Sequence, residues 1–324
     1  MEVDWMNTIA VASDYNRSNS NDLIEAYYED CELKGMSQGA IRRYKTSVLI
    51  FNDFLTHRGM SLLDVNKDAL RDFLRYLRQV RKVKHKTIEN YFSALSSLYE
   101  YLEFEEYIIK NPVLAVRRRY LRQYKSDISD ASTRKLISVE EMKMLINSVL
   151  DARDKAVITL LAKTGIRRGE LISMDVDDIN WVENSITLKP KAKRSNRIIF
   201  FDDETARILK RWLRLRQMRD PKGDALFIGE TGTRLNRNGV YTAVTKHAQR
   251  VGLHDHDSDK MEDHFSPHCC RHWFTTHLRR AGMKREFIQE LRGDRRRDAI
   301  DIYDHIDKEE LREAYLAHIP QLGI

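Results

Sequence analysis

Thr164-Gly165-Ile166-Arg167-Arg168-Gly169-Glu170-Leu171 is the stretch on which the reading of this sequence turns. Just before it, Ala156-Val157-Ile158-Thr159-Leu160-Leu161 is an apolar run that predicts a buried helix. Gly165 predicts its end, because glycine takes the left-handed cap conformation at no steric cost. An arginine just past such a stop projects from a rigid scaffold, and a guanidinium grips phosphate oxygens with paired hydrogen bonds. Glu170, three residues on, can hold Arg167 from behind if a helix restarts there. Taken alone, the pair reads better as a surface ion pair.

The surroundings add chemistry. Upstream, Ser138 and Glu141 have the spacing of a capping box and predict the start of a helix and of a domain. Downstream, Ile186 and Leu188 alternate with polar residues and Ile198 to Phe201 is a short apolar run, the pattern of a two-stranded hairpin. Its connection, Lys189-Pro190-Lys191-Ala192-Lys193-Arg194-Ser195-Asn196-Arg197, is basic and has no acid. Such a turn protects a sheet edge; a lysine on it can also enter a groove and protonate a leaving oxygen. In His268-Cys269-Cys270-Arg271-His272, His268 and Arg271 share one helix face, and Pro267 fits the first helical position. A helix N-terminus there would add partial positive charge toward an anion. Asp294 and Tyr303 follow, within Leu291-Arg292-Gly293-Asp294-Arg295-Arg296-Arg297 and Ala299-Ile300-Asp301-Ile302-Tyr303-Asp304-His305. A lone tyrosine in such a setting is ordinarily a packing residue.

Ahead of this domain the periodicity is helical. Ile41, Tyr44, Val48, Phe51 and Leu55, then Leu70, Phe73, Leu74 and Leu77, then Ile88, Phe92, Leu95, Tyr99 and Leu102 recur at steps of three and four. These predict a helical domain over 21–112. Residues 1–20 are polar and read as a disordered tail. Residues 113–136 read as a basic linker, with Arg117, Arg118 and Arg119 as candidate contacts to a phosphate backbone. The domain carrying the chemistry then spans 137–324.

Composition narrows the class. The chain has 324 residues, 56 Lys+Arg against 49 Asp+Glu, and net charge +7. Acids dominate residues 1–30, so the basic surplus lies beyond them and points to a polyanionic partner. Hydrophobic content of 42% excludes collagen-like and wholly disordered chains. Nothing approaches a membrane span or a signal peptide. Three cysteines, two of them adjacent, make no disulfide framework and fit a reducing cytoplasm. His254, His256, His264, His268, Cys269, Cys270 and His272 lack zinc-finger spacing, so no metal is expected. No Gly-rich Walker loop is present, so no nucleotide cofactor is expected either.

In order and at these separations, Arg167 with Glu170, a hairpin lysine, His268-x-x-Arg271 and a tyrosine 32 residues later resemble the tyrosine recombinase (phage-type integrase) family. Thr275-Thr276-His277-Leu278 and Ile302-Tyr303 agree, and within the family the chain is similar to archaeal Xer-like and virus or plasmid integrases. The resemblance implies a mainly α fold. A helical core-binding (SAM-like) domain would precede a mostly-α catalytic domain with a small antiparallel sheet. It implies double-stranded DNA with a specific target site as partner and a homotetramer on synapsed DNA. It also implies a cytoplasmic, nucleoid-associated location and no cofactor.

By the same resemblance Tyr303 is the nucleophile that forms a 3′-phosphotyrosine. Arg167 and Arg271 neutralise the phosphate, His268 assists proton transfer, and Glu170 and His272 support them. Lys191, 24 residues after Arg167, protonates the leaving 5′-oxygen; Lys193 is its rival, and Lys193 and Arg194 are further DNA contacts. The departure is Asp294, nine residues before the tyrosine, where the family has a hydrogen-bond-donating His or Trp. An ionised aspartate cannot donate. The expectation is that Asp294 organises Arg292 or Arg295–Arg297, which take over the phosphate contact. The alternatives are a catalytically impaired DNA-binding regulator, which Asp294 would favour, and DNA relaxation of the type IB topoisomerase kind. Leu311, Tyr315, Leu316 and Ile319 form an apolar C-terminal face that suits either a neighbouring subunit or its own domain.

Overall fold

A computed structural model of the chain describes residues 20–121, 135–189, 197–294 and 306–324. The tail expected over 1–20, most of the expected linker, Lys191, Lys193, Arg194, Arg295–Arg297 and Tyr303 therefore lie outside the described residues, apart from Ser20. The chain divides into two compact units near residue 130.

The first unit is helical. Helix α1 covers residues 20–33. It is followed by α2 (Gln38–Thr56), α3 (Lys67–Arg75, continued by a π-helical turn), α4 (His85–Phe104) and α5 (Val113–Tyr120). The starts are set by side chains: the Ser37 hydroxyl accepts from the Ala40 N–H, and Asn66 accepts from the Asp68 and Ala69 N–H groups. The apolar stripes predicted for α2, α3 and α4 converge on one core, where Phe51 meets Phe73 edge-on at 4.8 Å between ring centroids. The Tyr99 hydroxyl, buried in that core, donates to the Leu62 carbonyl at 2.8 Å.

One expectation is corrected here. The basic segment 113–136 does not begin as a connector: Val113–Tyr120 is a helix of the first unit. Val113 and Val116, three apart, enter the core, and Asn111 starts the helix by accepting from the Val113 N–H and donating to the Ser96 carbonyl of α4. The run of charge hides a two-residue apolar face.

The second unit contains α6 (Val139–Ser148), α7 (Ala152–Thr164), α8 (Arg168–Ser173), α9 (Asp203–Gln217), α10 (Arg237–Arg250), α11 (Pro267–Arg280), α12 (Arg285–Arg292) and α13 (Lys308–His318). Its sheet is antiparallel in the order β1 (Ile179–Asn180), β2 (Ser185–Leu188), β3 (Arg197–Phe200). The predicted hairpin is β2–β3, with Ile186 opposite Ile199 and Leu188 opposite Arg197. The mostly helical fold with a small antiparallel sheet is thus the one expected.

Helix α7 is buried almost all round, packed by α9, α10 and α11, which is why its sequence is a continuous apolar run rather than a stripe. The Ser138–Glu141 capping box forms as read, with the Ser138 N–H donating to Glu141 Oε2 at 2.7 Å. Gly165 ends α7 at φ +60°, and a Cβ there would overlap the Phe274 ring. Most of the C-terminal face folds onto its own unit: Leu311, Tyr315 and Ile319, with Leu322, are buried in the core that α7 centres, whereas Leu316 is exposed. Among the described residues no helix is long and apolar enough to cross a membrane, and no cluster of His, Cys, Asp and Glu is arranged to hold a metal ion.

Candidate active site

Three helix termini deliver the site. Arg167 is the N-cap of α8, immediately after the αL stop at Gly165 and Ile166. Arg271 lies one turn into α11, whose first residue is Pro267. Asp294 follows Gly293, which caps α12 at φ +60°. Arg271 is buried, and its guanidinium is fixed by backbone: Nη1 donates to the Gly165 carbonyl at 2.7 Å and Nη2 to the Arg292 carbonyl at 3.0 Å. Arg167 is more open, but its Nη1 donates to Glu170 Oε1 and to the same Arg292 carbonyl, both at 3.1 Å.

The two guanidiniums share one anion. Asp294 Oδ1 accepts from Arg167 Nη2 at 3.1 Å and from Arg271 Nη2 at 3.0 Å, while Oδ2 lies 3.2 Å from Arg292 Nε. Of the arginines expected beside it, Arg292 stands at ion-pair distance, and Arg295–Arg297 lie outside the described residues. The link to Arg167 and Arg271 themselves was not foreseen.

Behind Arg167, Glu170 is the keystone. Its Oε2 accepts the Arg167 backbone N–H at 2.6 Å, and both oxygens take a fork from Arg197 at 2.9 and 2.8 Å. Burial alone would raise the Glu170 carboxyl; the Arg197 hydrogen bonds and charge, with Arg167, outweigh it and lower the pKa to about 2. Burial, with Arg167 and Arg292 facing it, pulls Arg271 down to about 9 against the pull of Asp294 and Glu170, which leaves it charged at neutral pH.

Arg167, Glu170, Arg197 and Arg271, with His268, line a cleft of about 570 Å³; Asp294 and Arg292 are not among its lining residues. His268 stands exposed at the start of α11 on the face shared with Arg271, as the spacing predicted. His272 is exposed on the same helix but is not among the cleft-lining residues. In the other unit, Arg117 is turned inward and donates to Ser96 Oγ and Ser93 Oγ at 3.0 and 3.2 Å, whereas Arg118 and Arg119 are exposed.

Arg197, which lines the cleft and forks to Glu170, carries no local signal of that place in the sequence. In the sequence it is only the last base of the hairpin connection, and nothing in its spacing tells of Glu170. Lys189, Arg168, Arg237 and Tyr241 also line the cleft unforeseen. Lys189 is ion-paired with Asp175 and Asp178.

Known proteins resemble the chain over both of its units. Residues 135–310 match the model of the phage integrase family, and residues 19–135 that of the phage integrase SAM-like domain. The chain is 30% identical over 287 residues to the tyrosine recombinase XerC of Herpetosiphon aurantiacus, covering 85% of this chain and 87% of that protein. It is 27% identical over 306 residues to the tyrosine recombinase XerC of Oceanobacillus iheyensis, covering 92% and 96%. Its fold is shared with a lambda integrase dimer bound to a COC′ core site, at TM-score 0.65 and 16% identity over 89% of this chain and 79% of that one. It is also shared with the XerH site-specific recombinase bound to palindromic difH, at TM-score 0.65 and 21% identity over 92% and 83%.

Proposed function

This chain belongs to the phage integrase family, the tyrosine recombinases of site-specific recombination, and on that footing we propose the chemistry its own residues perform. The Tyr303 hydroxyl oxygen attacks a scissile phosphate in double-stranded DNA at a specific target site. The phosphorus–O5′ bond breaks, leaving a 3′-phosphotyrosine and a free 5′-hydroxyl. Tyrosine has a reference pKa of about 10, so it needs help to lose its proton at neutral pH; His268 takes part in that transfer. Lys191 supplies the proton that the departing 5′-oxygen takes up. Arg167 and Arg271 stabilise the charge that builds on the non-bridging oxygens. Attack by a 5′-hydroxyl from a partner strand reverses the step, and the phosphoester energy is conserved throughout. Two synapsed duplexes need four copies of the chain, acting on nucleoid DNA in the cytoplasm.

The observation that carries this reading is the pair of guanidiniums from two different helix starts, each within 3.1 Å of one shared anionic oxygen, at a cleft that His268 also lines. That arrangement suits a phosphate, whose oxygens a pair of guanidiniums can share. Arg118 and Arg119 on the first unit, with Arg194 and Lys193 beside Lys191, supply backbone contacts, so affinity falls steeply with salt.

The test is a duplex nicked next to the scissile phosphate, incubated with the protein with and without EDTA. A denaturation-resistant protein–DNA adduct that persists in EDTA and disappears in Tyr303→Phe is expected. Tight binding to a verified site without any adduct would overturn the covalent mechanism.

A further inference from the structure

We propose that the Asp294 carboxylate is a resident stand-in for the substrate phosphate: it fills the oxygen position between Arg167 and Arg271 until an anion displaces it. The inference rests on the reading of those two arginines as the phosphate-binding pair.

The geometry carries it. Asp294 Oδ1 accepts from both Nη2 groups, at 3.1 and 3.0 Å. The other described contacts of these two guanidiniums point elsewhere, to Glu170 and to the carbonyls of Gly165 and Arg292. A phosphate oxygen bridging the same two nitrogens needs the point that Oδ1 occupies, and two anionic oxygens cannot share it. Without an anion there, Glu170, already shared with Arg197, would be left to offset the guanidiniums of Arg167, Arg271 and Arg292. The carboxylate therefore holds the pair in place while the site awaits substrate.

The exchange needs no unfolding. The Asp294 backbone N–H is anchored on the Gln289 carbonyl at 3.0 Å, at the end of α12. Its side chain is partly exposed, and Oδ2 already lies 3.2 Å from Arg292 Nε. Rotation of the side chain toward Arg292 takes Oδ1 out of the bridging position and leaves the carboxylate paired with Arg292. This role differs from donation to the phosphate by a histidine or tryptophan. It makes Asp294 a competitor for the site as well as its organiser, and so a brake on binding any anion that lacks the rest of the duplex contacts.

Inorganic sulfate is the probe, read as the rise in melting temperature against chloride at matched ionic strength, with the full-length protein and no DNA. An anion that binds only the folded state stabilises it by mass action. Removing the carboxylate's charge while keeping its shape, in Asp294→Asn, is expected to lower the sulfate concentration for half-maximal stabilisation at least about tenfold. Asp294→Ser is expected to do the same and serves if the first variant folds poorly. Adding Arg167→Ala to either variant should return the response to that of the unaltered protein. Equal sulfate responses with and without the carboxylate would overturn the proposal, and so would a gain that survives loss of Arg167. The assay involves neither Tyr303 nor DNA. A missing covalent adduct with a positive sulfate result would thus defeat the recombination chemistry alone.

Discussion

The second unit contains two charge networks built from similar parts, one buried and one partly open, and they behave oppositely. In one, the fully buried Lys163 of α7 donates to Asp202 Oδ2 and Glu204 Oε2 at 2.6 Å each and to the Pro320 carbonyl at 2.7 Å. Glu204 also accepts the backbone N–H groups of Leu322, Gly323 and Ile324, and Asp202 accepts from Thr205. Carboxylates exceed cations, backbone donors satisfy the remainder, and the network is closed. In the other, the acidic partners of Arg167, Arg197, Arg271 and Arg292 among the described residues include Glu170 and Asp294, and the network opens on a cleft. Among these described residues positive charge is in surplus, four guanidiniums to two carboxylates. Burial with full compensation fixes structure, here the C-terminal segment on its own unit. Burial with a surplus and an opening makes a site for an anion.

Variants can break either side of this contrast. Lys163→Met should have the largest effect on stability. It strands two buried carboxylates, and breaking a buried pair from one side costs about 3–5 kcal/mol. Urea unfolding should show that loss, and hydrogen exchange should show early release of α13; a loss under about 1 kcal/mol would mean the network is not closed as described.

Acid sharpens the contrast next. The Glu170 carboxyl is lowered from its ordinary 4.5 to about 2 in the folded protein. Its contribution is fully present above pH 4.5 and is lost as pH falls from there toward 2, amounting to at most about 3 kcal/mol. In Glu170→Gln, stability measured across that window should fall less steeply than in the unaltered protein. Parallel curves would show that Glu170 is not the titrating keystone.

A smaller effect is expected at Gly165, where the αL backbone and the overlap of a new Cβ with Phe274 together disfavour alanine. Gly165→Ala should cost about 1–3 kcal/mol by thermal unfolding. It should also slow cleavage, because the Gly165 carbonyl positions Arg271. Unchanged cleavage by the folded variant would separate the cap from the site.

The open network was far more legible in the sequence than the closed one. Arg167, His268 and Arg271 sit at helix starts and stops, and those carry local signals: a glycine, a proline, a capping spacing. Glu170 is three residues from Arg167, so helix geometry alone brings them together. Arg197 was not legible as the partner of Glu170, since their fork depends on where β3 lies against α8 and α12, a tertiary fact. Lys163 left no trace at all: a lysine inside an apolar helix reads as an interruption, and its partners lie 39, 41 and 157 residues away. In α5 the arginines masked Val113 and Val116, and β1, at two residues, is too short to show a period.

The most direct test of the central claim, that the surplus positive charge exists to neutralise a scissile phosphate, compares two nicked duplexes. One has the ordinary phosphodiester; in the other an uncharged methylphosphonate replaces it. Adduct formation by Arg271→Ala should fall about 10²–10³-fold on the phosphodiester, the usual scale for losing one group that stabilises transition-state charge. On the methylphosphonate, which carries no negative oxygen to neutralise, the same variant should lose far less relative to the unaltered protein. An equal loss on both substrates would contradict the account and make Arg271 a structural residue like Lys163.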